Sequence, residues 1–243
     1  MTAEKLVTAG LQDFYDDYYD DPQLAGIRKL VAGVLFNSLV DVVGRQRHAT
    51  ILDVGAGEGS FLQKISDENF ADELHAVEIS ESGVERIRKR QLPQLQSAAQ
   101  FDGYKLPFAD QSMDIITSLH VLEHVEHERL FLRELARVGK GVYLEVPLEN
   151  TSNVALAIER AATGGHINYY NENTFAALLE SSGLRVASLK TYAYPVEYEV
   201  LVSGGLKGRL KSFIRSTAIR VAPAIAKRCF VYLCAALAYP KGT

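Results

Sequence analysis

Tryptophan is absent, and the chain has only two cysteines and two methionines among its 243 residues. Two cysteines cannot staple a secreted fold, so a reducing compartment is the expectation. No charge-free stretch reaches the roughly 18 residues that a membrane-spanning helix needs. The opening MTAEKLVTAGLQDF has no basic region leading into an apolar core, so it does not read as a signal peptide. Disorder is excluded as well, because 47% of the residues are hydrophobic and the net charge is only −4. These absences leave a folded, cytoplasmic chain with room for one generous core.

A further absence is local. The last acid is Glu199, and residues 200–243 carry eight bases and no acid. The first 199 residues hold all 30 acids against 18 bases, so a net −12 stands beside a net +8. A split of this kind hints at an anionic partner.

Residues 1–48 read as a helical N-terminal cap, in which DFYDDYYDD precedes the amphipathic run LAGIRKLVAGVLFNSLVDVV. Tyr15 and Tyr19 are its candidates for a lid. Beyond it, β-branched apolar runs alternate with helical patterns over residues 49–243. TILDV, LHAVEIS, AAQFD, MDIITSL, GVYLEVP, RVASLKTYAY and CFVYLCAALAY read as strands, and NENTFAALLESSGL as a helix capped by asparagine and closed near Gly183. Alternation implies an α/β fold, doubly wound around a mostly parallel sheet with helices on both faces.

In ILDVGAGEGSFL a buried strand runs into Gly55, Ala56, Gly57, Glu58 and Gly59, with a helix opening near Ser60. Glycines there allow a sharp turn, close approach to a ligand and tight packing at the helix start. Asp53 would oppose a pyrophosphate and suits an ammonium or sulfonium group, while Glu78, ending the next strand, can take both hydroxyls of a ribose. Adenosine with a cationic tail satisfies both acids, and S-adenosylmethionine is such a molecule.

DVGAGEGSFL, AVEIS and FDGYKLPFADQSMDIITSLHVLEHV together resemble the successive motifs of class I S-adenosylmethionine-dependent methyltransferases. The likeness covers about residues 50–190 and lies toward the small-molecule branch, with its ubiquinone-biosynthesis O-methyltransferases and its natural-product and sugar methyltransferases. It implies a Rossmann-like, seven-stranded sheet with an antiparallel last strand. It also implies S-adenosylmethionine as cofactor, with Asp53, Gly55, Ala56 and Gly57 at the methionine end. Glu78 and Ile79 would then lie at the ribose, Asp102 and Gly103 at the adenine, and Leu119 beside the cofactor. Asp102 also reads as a plain turn former. RVGKGVYLEVP lacks the proline-glycine-glycine turn usual before the fifth strand of that family.

His120, Glu123 and His124 in HVLEH admit three readings. On a helix the two histidines would share a face with Glu123 at its edge and could hold a divalent metal. Alternatively Glu123 and His124 brace the backbone around the cofactor, or a histidine acts directly. As a general base His120 competes with His166 of GGHINYYNENTF, where Asn168, Tyr169 and Tyr170 read as pocket residues. Methyl transfer chiefly needs alignment, so a base only favours O- over N-methylation. The acceptor is expected to be a small molecule, anionic or lipid-linked, and nucleic acid is not expected because no aromatic-basic platform appears. Within a basic helical insertion at about 204–228, residues 206–228 show an apolar stripe edged by bases, broken by Pro223. It reads as a solvated face, a lid over an anionic acceptor or a peripheral membrane contact. A non-catalytic relative and a dinucleotide-dependent oxidoreductase are the rival classes.

Overall fold

The structure is a computed structural model that describes residues 22–161 and 165–242. The candidate lid residues Tyr15 and Tyr19 lie outside them. The elements, in chain order, are α1 (Pro22–Val43), β1 (His48–Val54), α2 (Ser60–Asp67), β2 (Ala71–Glu78), α3 (Glu81–Lys89), β3 (Leu95–Gln100), β4 (Met113–Leu119), α4 (Glu128–Val138), β5 (Gly139–Pro147), α5 (Val154–Ala161), α6 (Glu172–Ser181), β6 (Leu184–Tyr192), α7 (Val196–Ser203), α8 (Gly205–Val221), α9 (Pro223–Cys229) and β7 (Leu233–Pro240). A short 3-10 turn covers Leu122–His124.

The strands form one sheet in the order β3-β2-β1-β4-β5-β7-β6. β1 pairs in parallel with β2 and β4, while β7 runs antiparallel between β5 and β6. The strand order reverses beside β1, so a crevice opens beyond the C-terminal ends of β1 and β4, the place where open α/β sheets take their ligands. The expected doubly wound, seven-stranded fold with an antiparallel last strand is present.

Side-chain alternation divides the core between the two faces of the sheet. Along β5, Val142, Leu144 and Val146 join a cluster with Leu132 and Leu135 of α4 and Phe175 and Leu179 of α6. Tyr143 faces the opposite way, into a cluster with Leu39 of α1, Leu62 and Ile65 of α2 and Ile87 of α3. β5 is buried almost throughout, which is why its sequence is a continuous apolar run rather than an alternating one. Asn171 caps α6 by accepting from Thr174 N at 3.0 Å, with the Thr174 hydroxyl accepting from Asn171 N. This capping box satisfies end donors the helix itself cannot use.

Three differences from the sequence expectation bear on the site and on the insertion. β3 ends at Gln100, leaving Asp102 in the following loop. β7 begins at Leu233, because Pro223 restarts a helix that runs to Cys229. α7 was not anticipated: VEYEVLVS is mixed on every face, and Pro195 before it supplies the start of the helix.

Candidate active site

The site begins where β1 gives out. Asp53 is buried at 3% exposure, and its Oδ1 accepts from the Thr117 hydroxyl of β4 at 2.7 Å. Burial pushes the Asp53 carboxyl up to about 7, with the Thr117 hydrogen bond opposing and the Glu78 charge adding to the rise. Such an acid is ready for a cationic partner that restores its charge.

Gly55 follows at φ +79°, and a Cβ there would sit 2.3 Å from Val121 Cγ2. Only glycine satisfies both the left-handed backbone and the close approach. Gly57 N donates to Glu78 Oε2 at 2.8 Å, while Ile79 N and Ser80 N donate to Oε1 at 2.9 and 3.2 Å. Burial raises the Glu78 carboxyl, and these backbone donors pull the other way. Glycine loop and second acid are therefore one hydrogen-bonded unit. Glu58 is tied to Arg90, the C-cap of α3, and Arg28 of α1 approaches its Oε1 at 3.6 Å.

These groups line a cavity of about 770 Å³, within the size range of cofactor and substrate sites. Asp53, Gly55, Ala56, Gly57, Glu78, Ile79, Gly103 and Leu119 all reach it, as do His120, Glu123, His124 and His166. Asp102 does not border it. Its exposed carboxylate instead accepts from Tyr104 N and Lys105 N at 2.9 and 2.7 Å, as a turn former does. Phe101, Gly103 and Tyr104 of the same loop provide the wall.

HVLEH is not an α-helix. His120 has φ +56°, and the 3-10 turn follows it, so the one-face arrangement of His120 and His124 is not formed. A non-glycine residue held there is unusual and is fixed by its surroundings. His120 N donates to Glu145 O at 2.9 Å. The ring lies between two fully buried carboxylates, with Nδ1 3.3 Å from Glu123 Oε1 and Nε2 3.6 Å from Glu145 Oε1. Burial disfavours the imidazolium, but the two carboxylates prevail and hold His120 up to about 10. The flanking carboxylates thus favour the imidazolium form of His120. Glu145 is held in turn by the Tyr192 hydroxyl, which donates to Oε1 at 2.6 Å.

The imidazoles that meet are His124 and His166, with ring centroids 4.7 Å apart and planes nearly perpendicular. His124 Nδ1 donates to Gly165 O at 3.0 Å, which leaves the lone pair of its neutral form on Nε2. Burial lowers its basicity. His166 Nδ1 lies 2.7 Å from Glu149 Oε2. Burial again opposes its charge, yet the Glu149 hydrogen bond together with the Glu123 and Glu149 charges raises it. Ligand atoms of Glu123, His124 and His166 lie within 4.8 Å of one another. Thus the metal-capable cluster contains His166 in place of His120.

The loop that carries His166 is stitched to the 3-10 turn. Ile167 N and Asn168 N donate to Glu123 O at 2.9 and 3.0 Å, and Asn168 Nδ2 donates to Leu122 O and Val125 O. Asn168, Tyr169 and Tyr170 brace this junction and do not border the cavity. Several lining residues escaped the sequence reading. Tyr194 and Tyr198 stack at 3.9 Å along one wall, and their signal was the aromatic pair around Pro195. Glu145 and Glu149, which support His120 and His166 without bordering the cavity, carry no motif in the sequence.

Fold and cleft define a Rossmann-like domain built for an adenosine cofactor with a cationic tail. Residues 26–189 match the methyltransferase-domain family, and the chain belongs to it, among the class I proteins that use S-adenosylmethionine. A probable S-adenosylmethionine-dependent methyltransferase of Mycobacterium tuberculosis is 28% identical over 134 residues, 55% of this chain and 47% of that protein. Demethylmenaquinone methyltransferase of Renibacterium salmoninarum is 36% identical over 104 residues, 42% of this chain and 41% of that protein. The chain thus spans about half the length of these curated relatives. The fold is shared with the chain solved in complex with the Haloferax volcanii Trm112 methyltransferase activator, at a TM-score of 0.67 and 18% identity, covering 95% of this chain and 98% of that one. No helix among the described residues is long and apolar enough to cross a membrane.

Proposed function

We propose that the chain transfers the methyl group of S-adenosylmethionine to a small-molecule acceptor, with a hydroxyl preferred over an amine. The observation that carries this reading is one cavity lined both by the acids Asp53 and Glu78 and by the paired imidazoles of His124 and His166. Asp53 would take the cofactor's ammonium, Glu78 its ribose hydroxyls, and Gly103 with Ile79 would border the adenine. Asp102 would serve there through the turn that its Oδ1 caps.

The sulfonium needs little activation, so the chain's work is to align acceptor oxygen, methyl carbon and sulfur and to remove one proton. His166 is the group suited to that proton. Glu149 holds its Nδ1–H, which leaves Nε2 to accept from the acceptor's hydroxyl while the oxygen–carbon bond forms and the carbon–sulfur bond breaks. His120, as a cation, would instead stabilise negative charge developing on that oxygen. Residues 22–43 supply one wall of the cavity through Ile27, Arg28 and Val31, which supports reading residues 1–48 as a cap.

One observation favours a second reading. Glu123 is fully buried and meets the His120 ring at 3.3 Å, but among the described residues neither of its carboxylate oxygens has a hydrogen-bond partner, and its uncommitted lone pairs fit a divalent cation held with His124 and His166. When bound, that ion would acidify the acceptor hydroxyl.

Titration calorimetry with S-adenosylmethionine, followed by methyl transfer to a panel of phenols, catechols and amines, tests the proposal. Binding lost in Asp53→Ala and a methylated hydroxyl product support it. Binding without transfer across the panel favours a non-catalytic relative, and no binding to the folded protein removes the reading.

A further inference from the structure

α8 is amphipathic with its apolar side turned outward. Its packed side carries Gly208, Ser212 and Ile219, and the first two are buried. Half a turn away, Leu206, Leu210, Phe213, Ile214 and Val221 form a stripe interrupted by the exposed Thr217, since a helix advances about 100° per residue. Leu206 is 85% exposed, Phe213 69% and Val221 78%. Isolated exposed apolar residues are ordinary, but a stripe along four turns of one helix marks a surface that something covers.

The charges beside the stripe indicate what covers it. Arg209 and Arg220 lie along one edge and Lys207 along the other, all exposed. Two further bases of the helix are used internally. Glu199 of α7, 1% exposed, pairs with Lys211 Nζ and Arg215 Nη1, each at 2.7 Å. A Cβ on Gly208 would lie 2.3 Å from Glu199 O, so the two helices touch backbone to backbone. The Tyr232 hydroxyl donates to Arg215 O at 2.9 Å and ties the helix to the body. α8 is therefore clamped by its polar face, with its apolar face presented and no acid in residues 200–243 to offset the flanking cations.

We infer that the outer face of α8 is a docking surface for an anionic lipid membrane. The stripe enters the headgroup–acyl boundary, while the stems of Lys207, Arg209 and Arg220 lie along it with their charges at the phosphates. α7 joins this surface to the cavity: its Glu199 anchors α8, and its Tyr198 stacks on Tyr194 in the cavity wall. Docking would thus set the mouth of the cleft beside the bilayer. This inference goes beyond the methyl-transfer reading and does not depend on it.

Flotation of the full chain with vesicles of phosphatidylcholine, alone or mixed with phosphatidylglycerol, tests it without cofactor. Calorimetry with S-adenosylmethionine runs in parallel, so failure of docking is distinguishable from failure of the catalytic reading. The chain should float with the mixed vesicles and not with the neutral ones, and rising salt should release it. Leu210→Glu with Phe213→Glu should abolish flotation, and Arg209→Glu with Arg220→Glu should weaken partitioning at least roughly tenfold. Melting temperature and cofactor affinity should be unchanged in both. A chain that never floats with mixed vesicles, or floats equally with neutral ones, overturns the inference. So does an apolar-face variant that leaves flotation intact, or one that only dissolves a dimer of the chain.

Discussion

Asp53 of β1 and Thr117 of β4 are hydrogen-bonded at 2.7 Å across the point where the strand order reverses. That bond is the main force favouring charge on a carboxyl that burial still holds up at about 7. The ordinary aspartate value in an unfolded chain is about 3.9. The free protein therefore binds this proton more tightly when folded, and Asp53 costs stability progressively as pH rises from about 4 to about 7. A cationic ligand needs the carboxylate. Cofactor affinity should accordingly strengthen by up to about tenfold per pH unit below 7 and level off above it. Calorimetry in two buffers of unlike ionisation enthalpy should register proton release on binding at pH 6 and little at pH 8. Asp53→Asn should melt higher than wild type at pH 8 while losing the cofactor.

Gly55 and Val121 make the second prediction. Gly55→Ala meets Val121 Cγ2 at 2.3 Å and places a Cβ at φ +79°. The left-handed conformation alone costs about 1–2 kcal/mol, and the clash adds to it. Gly55→Ala should lower the denaturation midpoint and abolish cofactor binding. Val121→Ala in the same chain should recover the steric part and not the backbone part. Full recovery would mean that the glycine serves only to avoid the valine.

His120 holds two fully buried carboxylates, Glu123 and Glu145. Removing the cation from such an arrangement costs about 3–5 kcal/mol, because uncompensated charge stays behind. His120→Asn tests this cleanly, since asparagine tolerates the left-handed backbone at φ +56°. Urea denaturation should show the loss. A change below about 0.5 kcal/mol, the level of an ordinary surface substitution, would show that His120 is not the cation between them.

The parts of this site readable in the sequence are those set by neighbours along the chain. Gly55, Gly57 and Glu78 follow from a strand, a turn and the next strand, because parallel pairing brings Gly57 N to Glu78 whatever else surrounds them. Asp102 was assigned to the adenine through the family resemblance, whereas its other reading was a turn former; the strand stops at Gln100, and Oδ1 accepts from Tyr104 N and Lys105 N, which is the turn-forming arrangement. The histidines were least legible. Whether His120 or His166 meets His124 depends on a single left-handed residue and on a loop packed from 40 residues away, and neither leaves a periodic signature. The clamp on Glu199 is similar: Lys211 and Arg215 looked like the edge of a solvated stripe, and only the buried acid of α7 shows that they point inward.

His166 and Glu149 make the last prediction, because they separate proton removal from the metal reading. If His166 takes the acceptor's proton, His166→Ala should lower kcat by about 100- to 10,000-fold, the usual range for a general base. Cofactor affinity should stay unchanged, since Asp53 and Glu78 are untouched. Glu149→Gln keeps an acceptor beside Nδ1 and removes the charge, so its loss should be smaller and confined to kcat. Under this reading His124→Asn should reduce turnover only modestly, and chelation with EDTA should leave it intact. If instead Glu123, His124 and His166 hold a divalent ion, substituting any one of the three should cost similar activity. EDTA should then abolish turnover, and added metal should restore it in wild type but not in the variants. A radiolabelled methyl-transfer assay on the variants, with and without chelator, distinguishes the two chemistries at one set of side chains whose ligand atoms lie within 4.8 Å of one another.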